Sequence, residues 1–101
     1  MFERKNISKD EVVLVVTGSL AGDMTAQFQK EVEELAAGGN STITLDLSAT
    51  ESINSSALGK ILLFRKKLAE RERTLQIRGC SETLYKTFQM IKFDTLISIK
   101  R

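Results

Sequence analysis

Serine hydroxyls at the start of a helix can cap free backbone amides, attack as nucleophiles when a base is near, or accept a phosphoryl group. Ser55 and Ser56 stand side by side in DLSATESINSSALGKILLF, residues 46–64, where a strand-like ending gives way to an apolar helical pattern. Capping is the plain explanation, because a serine at that position contributes about 0.5 to 2 kcal/mol. Asn54 could cap equally well, and redundant caps leave a hydroxyl for another task. Nucleophilic hydrolysis fits poorly. The chain contains no histidine to serve as base, and Asn54 and Leu58 occupy the positions around Ser56 where a nucleophile elbow has glycine. A phosphate-binding P-loop also fails, since Asn54 stands where its first glycine belongs and Ile61 where its magnesium-binding serine or threonine belongs.

The elements that must position these serines follow from the hydrophobic pattern. Phe2–Ile7 and Val12–Thr17 are apolar-rich stretches joined by the polar SKDE, which reads as a hairpin. Phe28, Val32, Leu35 and Ala36 recur at helical spacing over Met24–Ala37, with Asp23 as a candidate cap and Gly38–Gly39 as a left-handed stop. Thr42–Leu47 alternates as a third strand. A second helix starts near Ser55 or Ser56 and runs to about Glu72, with Ala57, Ile61, Phe64 and Leu68 on its core stripe and Leu58 and Leu62 beside it on the core face. Its other side carries Lys60, Lys66, Lys67, Glu70 and Arg71, a solvated face of modest basic bias. Thr74–Arg78 is a fourth strand, Ser81 caps a helix over Glu82–Ile91, and Thr95–Ile99 is a fifth strand. The order β-β-α-β-α-β-α-β predicts an α/β fold, a mixed sheet of about five strands packed with helices.

At 101 residues the chain suits a single domain, residues 1–101, with 42% hydrophobic and 28% charged residues. Fifteen basic against thirteen acidic residues give a net charge of +2, too balanced to imply nucleic-acid or membrane binding. The single cysteine, Cys80, excludes an intramolecular disulfide and, with no histidine, a Cys/His metal cluster. Met1–Asp10 lacks the apolar core of a secretory leader, so a cytoplasmic location is expected.

The stretch DLSATESINSSALG resembles the signature of the STAS family, the single-domain anti-sigma factor antagonists of bacteria: Asp-Leu-Ser, a short spacer, then Asp-Ser-Ser-Gly-Leu-Gly. The spacing agrees without a gap from Asp46 to Gly59, and element order and chain length agree as well. Asn54 stands for the usual aspartate and Ala57 for the usual glycine.

The resemblance implies the STAS fold and a non-enzymatic regulator of partner switching with no cofactor of its own. Ser56 would be phosphorylated by a serine kinase of the histidine-kinase-like ATPase fold, itself an anti-sigma factor, and dephosphorylated by a metal-dependent serine phosphatase; Ser55 is the lesser acceptor. ATP and metal would belong to those partners. The partner-binding surface would comprise Asp23, Asp46, Asn54, Ser55, Ala57, Leu58, Gly59, Lys60 and Leu63. Alternatives are the same switch directed to biofilm or secretion control, or a constitutive scaffold or ligand-binding module in which Ser56 is only a cap.

Overall fold

The computed structural model describes residues 1–100. Among them, strands β1 (Phe2–Asn6), β2 (Glu11–Val16), β4 (Thr42–Asp46), β6 (Thr74–Arg78) and β7 (Ser98–Lys100) form one sheet in the order β1-β2-β4-β6-β7. The β1–β2 pair is the antiparallel hairpin expected from the sequence, and the remaining pairs are parallel. Helices α1 (Asp23–Ala37), α2 (Ser55–Ala69) and α3 (Glu82–Met90) make the crossovers. Each crossover advances one strand in the same direction, so right-handed connections lay all three helices on one face. The core lies between them, where Val12, Leu14, Ile43, Leu45 and Ile77 of the sheet meet Phe28, Ile61, Phe64, Leu68 and Phe88 of the helices.

The expected α/β arrangement of a mixed sheet and three helices is the one found, with corrections at the ends of elements. Two short strands, β3 (Gly18–Leu20) and β5 (Thr50–Ile53), pair in parallel as a second small sheet that the hydrophobic pattern does not signal. The α2 helix ends three residues before Glu72. The amides of Glu72 and Arg73 turn back to the carbonyls of Ala69 and Leu68 at 3.1 and 2.8 Å, closing it with Glu72 left-handed at φ 58°. The last strand begins at Ser98 instead of Thr95, because Phe93–Thr95 coil into a 3₁₀ turn that buries Phe93 against Phe88 at 5.5 Å between ring centres.

The ends of α1 also differ from expectation. Gly22, at φ 57°, is its N-terminal cap, and Asp23 is the first helical residue without a capping bond. At the other end Gly38 is extended at φ −77°, so no left-handed glycine closes the helix. The side chain of Arg73, from the connection after α2, does that work instead. Its guanidinium donates to the carbonyls of Leu35, Ala36 and Asn40 at 2.9, 2.7 and 2.6 Å. The last turn of α1 carries no basic residue of its own, so this cation also meets the negative end of the helix dipole. Replacing Arg73 by Met is expected to lower the unfolding free energy by about 2 kcal/mol, the scale of losing charge-assisted hydrogen bonds. A urea titration reads this as a lower midpoint.

Candidate functional site

The serine junction is built on the small β3–β5 sheet. Thr50 anchors the start of β5, where its buried hydroxyl donates to the carbonyl of Val16 at 2.8 Å. At the far end the amide of Asn54 donates to the carbonyl of Leu20 at 3.0 Å. Because β3 and β5 run parallel and lead into α1 and α2, the two helices start side by side at the same edge. Upstream, Asp46 shapes the turn between β4 and β5 by accepting from the amide and hydroxyl of Ser48, at 3.0 and 2.6 Å. Partial burial pushes the Asp46 carboxyl up, but the Ser48 bonds, with Arg78 and Lys5, outweigh it and hold the group below the usual carboxylate range. Gly79, at φ 71°, passes so close to this turn that a Cβ would sit 3.0 Å from that of Ser48.

Asn54 caps α2: its side-chain oxygen accepts from the amide of Ala57 at 2.8 Å. Ser55 and Ser56 are therefore the first two residues of the helix and cap nothing. Both are exposed, and neither hydroxyl has an intramolecular partner among the described residues. Their own amides are likewise free of protein acceptors, and the first turn contains no acidic side chain. An unneutralised helix N-terminus thus presents two hydroxyls and two free N–H groups to solvent, a setting that favours negative charge.

The other residues expected at the surface divide by burial. Ala57 is fully buried and its methyl belongs to the core, so it supports the exposed serines from beneath and offers a partner no contact area. Leu58 is half-buried against the core, whereas Gly59 is exposed with open space above it. Asp23 is exposed in the first turn of α1. Asp46 is half-buried, and its hydrogen bonds go to Ser48, not to the serine pair.

Along α2, Lys60 donates to the side-chain oxygen of Gln29 on α1 at 2.6 Å. The two residues share a cleft with Val32, Glu33, Leu63, Phe64 and Lys67. Leu63 is 54% exposed, and Leu62 beside it is 37% exposed. The apolar period puts Leu62 beside the core stripe, yet it lies at the edge of the buried face and is exposed; Gln29 carries no sequence signal, since its place next to buried Phe28 does not say which helix it faces. Between Ser55 and Ala69 the only charged residues are Lys60, Arg65, Lys66 and Lys67, so the exposed side of α2 is apolar and basic together. Among the described residues no group of three or more Cys, Asp and Glu side chains could hold a metal, and no helix is long and apolar enough to cross a membrane.

A family model described as "Mlab, STAS domain" matches residues 3–98. Among solved structures, the chain is similar to a proposed anti-sigma factor antagonist from Thermotoga maritima, with 27% identity and a TM-score of 0.89 over 99% of this chain and 86% of that one. It is similar to the anti-sigma factor antagonist SpoIIAA in its unphosphorylated form, at 19% identity and a TM-score of 0.85, over 100% of this chain and 89% of that one. SpoIIAA of Bacillus in its phosphorylated form is similar at 19% identity and a TM-score of 0.78, over 100% and 92%. At 19% identity these likenesses speak to the fold. No curated protein matches the chain in sequence.

The capping geometry separates Asn54 from its neighbours experimentally. Asn54→Ala is expected to cost about 1 kcal/mol of unfolding free energy, whereas Ser56→Ala stays within about 0.5 kcal/mol of the parent. Equal losses in a denaturant titration would return the capping role to the serines.

Proposed function

The chain belongs to the STAS domain family, and on that premise we propose that it is a regulatory binding module gated by phosphorylation of Ser56. The unmodified form binds a serine kinase of the histidine-kinase-like ATPase fold that serves as an anti-sigma factor. Phosphorylation blocks that complex, and a metal-dependent serine phosphatase restores it. In the transfer, the Ser56 oxygen forms a bond to the terminal phosphorus of the kinase's ATP, ADP leaves, and the hydroxyl proton passes to a base on the kinase. This chain receives the group and performs no chemistry. Partners with a biofilm or secretion output would use the same gate.

The observation that carries this reading is the division of labour at the helix start, where Asn54 caps and Ser56 remains exposed without a partner. Had Ser56 been the cap, modifying it would have removed a bond that the helix needs. As placed, a phosphoryl group adds roughly −1.5 to −2 charges at neutral pH beside free amides. The helix dipole favours negative charge there by about 0.3 to 1 kcal/mol, so the fold tolerates the modification. A partner packed on the bare hydroxyl meets a hydrated dianion instead. Exposed Leu62 and Leu63, flanked by Lys60 and Lys67, supply apolar contact area and positive charge on the same helix. SpoIIAA, solved in unphosphorylated and phosphorylated forms, supports the reading as a relative of the same fold that carries such a modification.

Calorimetry with candidate kinases of this fold from the same genome tests the gate. Unmodified chain and Ser56→Ala are expected to bind within about threefold of each other, while phosphorylation or Ser56→Asp weakens binding. A loss of about 3 kcal/mol on phosphorylation corresponds to more than a hundredfold. Equal binding by all forms would reduce the chain to a constitutive scaffold.

A further inference from the structure

We propose that Lys60 is an intramolecular phosphate latch: when Ser56 is phosphorylated, the Lys60 ammonium leaves Gln29 on α1 and pairs with the phosphate on its own helix. The inference rests on the reading of Ser56 as the phosphoacceptor and adds what the modification does to the surface around it.

In the unmodified chain Lys60 bridges two helices through a neutral partner. Its ammonium donates to Oε1 of Gln29 at 2.6 Å, and Nε2 of Gln29 donates onward to Glu33 at 3.0 Å. The ion pairs among the described residues are Arg4–Glu31, Arg4–Glu34 and Lys86–Glu82, so no carboxylate pairs directly with Lys60. The bond to Gln29 is already charge-assisted by the ammonium, but a phosphate dianion would be a stronger partner than a neutral amide oxygen, because it adds the Coulomb attraction between opposite full charges.

The spacing brings that partner within reach. Ser56 and Lys60 stand at i and i+4, where side chains on a helix are neighbours with Cβ atoms about 5–6 Å apart. Side chains of a helix tilt toward its N-terminus, so Lys60 leans toward the turn that holds Ser56. The anion lies N-terminal to the cation, which is the favourable order. Gly59, at i+3 from Ser56, has open space and puts no side chain in the way. Ser55 lacks the arrangement, because its i+3 and i+4 residues are Leu58 and Gly59. The latch therefore distinguishes the two serines.

Its consequence is a double change at one surface. Phosphorylation adds a dianion at residue 56 and withdraws a cation from the α1–α2 cleft at residue 60. The cleft keeps Val32, Leu63 and Phe64 but loses the bond that crosses it beside Glu33. No backbone movement is required.

The test uses the full chain with phosphoserine installed at position 56 during translation, so it does not depend on any kinase. The readout is the side-chain amide resonance of Gln29 in ¹⁵N-labelled protein. Phosphoserine at 56 is expected to move this resonance to the position it takes in unmodified Lys60→Met. It should produce no further movement within Lys60→Met, and phosphoserine at 55 should leave the resonance in place. Lys60→Gln serves as a second charge-removing variant if the methionine form folds poorly. A Gln29 resonance that ignores phosphoserine at 56, or that moves as far without Lys60, would overturn the latch. Such a failure leaves the kinase-binding gate standing, and failure of that gate in calorimetry leaves the latch result standing.

Discussion

Asn54 is held from two sides. Its backbone amide donates to Leu20 in the neighbouring strand at 3.0 Å, and its side chain accepts from Ala57 at 2.8 Å. The first bond fixes where β5 ends and the second fixes where α2 begins. Everything at the serine junction follows from this pin: Ser55 and Ser56 fall on the outside of the first turn, and Ala57 falls on the inside, in the core. A one-residue slip would move Ala57 out of its buried site and replace it with a hydroxyl. Burial of polar groups without a partner costs on the order of 1 to 3 kcal/mol, so the register of the helix start is stiffly set.

The rest of the fold makes that stiffness available at the surface. One helical layer packs on one sheet, and Ile61, Phe64 and Leu68 continue inward the stripe that Ala57 begins. At the opposite end the guanidinium of Arg73 fastens α1 to the connection after α2, so the two helices are tied through their far ends as well as by Lys60 and Gln29. A charge added to a free hydroxyl on such a frame changes what a partner meets without requiring the frame to move. The physical problem of a regulatory surface is thereby reduced to local electrostatics.

Much of this was legible in the sequence because it depends on local periodicity. Phe28, Val32 and Leu35 reveal the inward face of α1, and Ala57, Ile61, Phe64 and Leu68 that of α2; the run from Asp46 to Gly59 marks the junction. The choice of cap was not legible, since Asn54, Ser55 and Ser56 are all good capping residues and only the β5 register selects among them. Strands β3 and β5 escaped for a related reason. They are three and four residues long, and TESI is mostly polar; their pairing joins segments more than thirty positions apart. Arg73 and Gln29 act across helices, and no pattern within one element reports that. Asp23 has the residue type of a cap, yet Gly22 holds that position because the chain turns there with φ at 57°.

The most direct measurement is a comparison of backbone amide spectra of the chain with and without phosphoserine at position 56. The expected result is a set of changes confined to the start of α2, the turn of Lys60 and the facing turn of α1, with the resonances of β2, β4 and β6 in place. Widespread shifts through those central strands would mean that phosphorylation remodels the fold, and the picture of a pinned helix start carrying a free hydroxyl would be wrong.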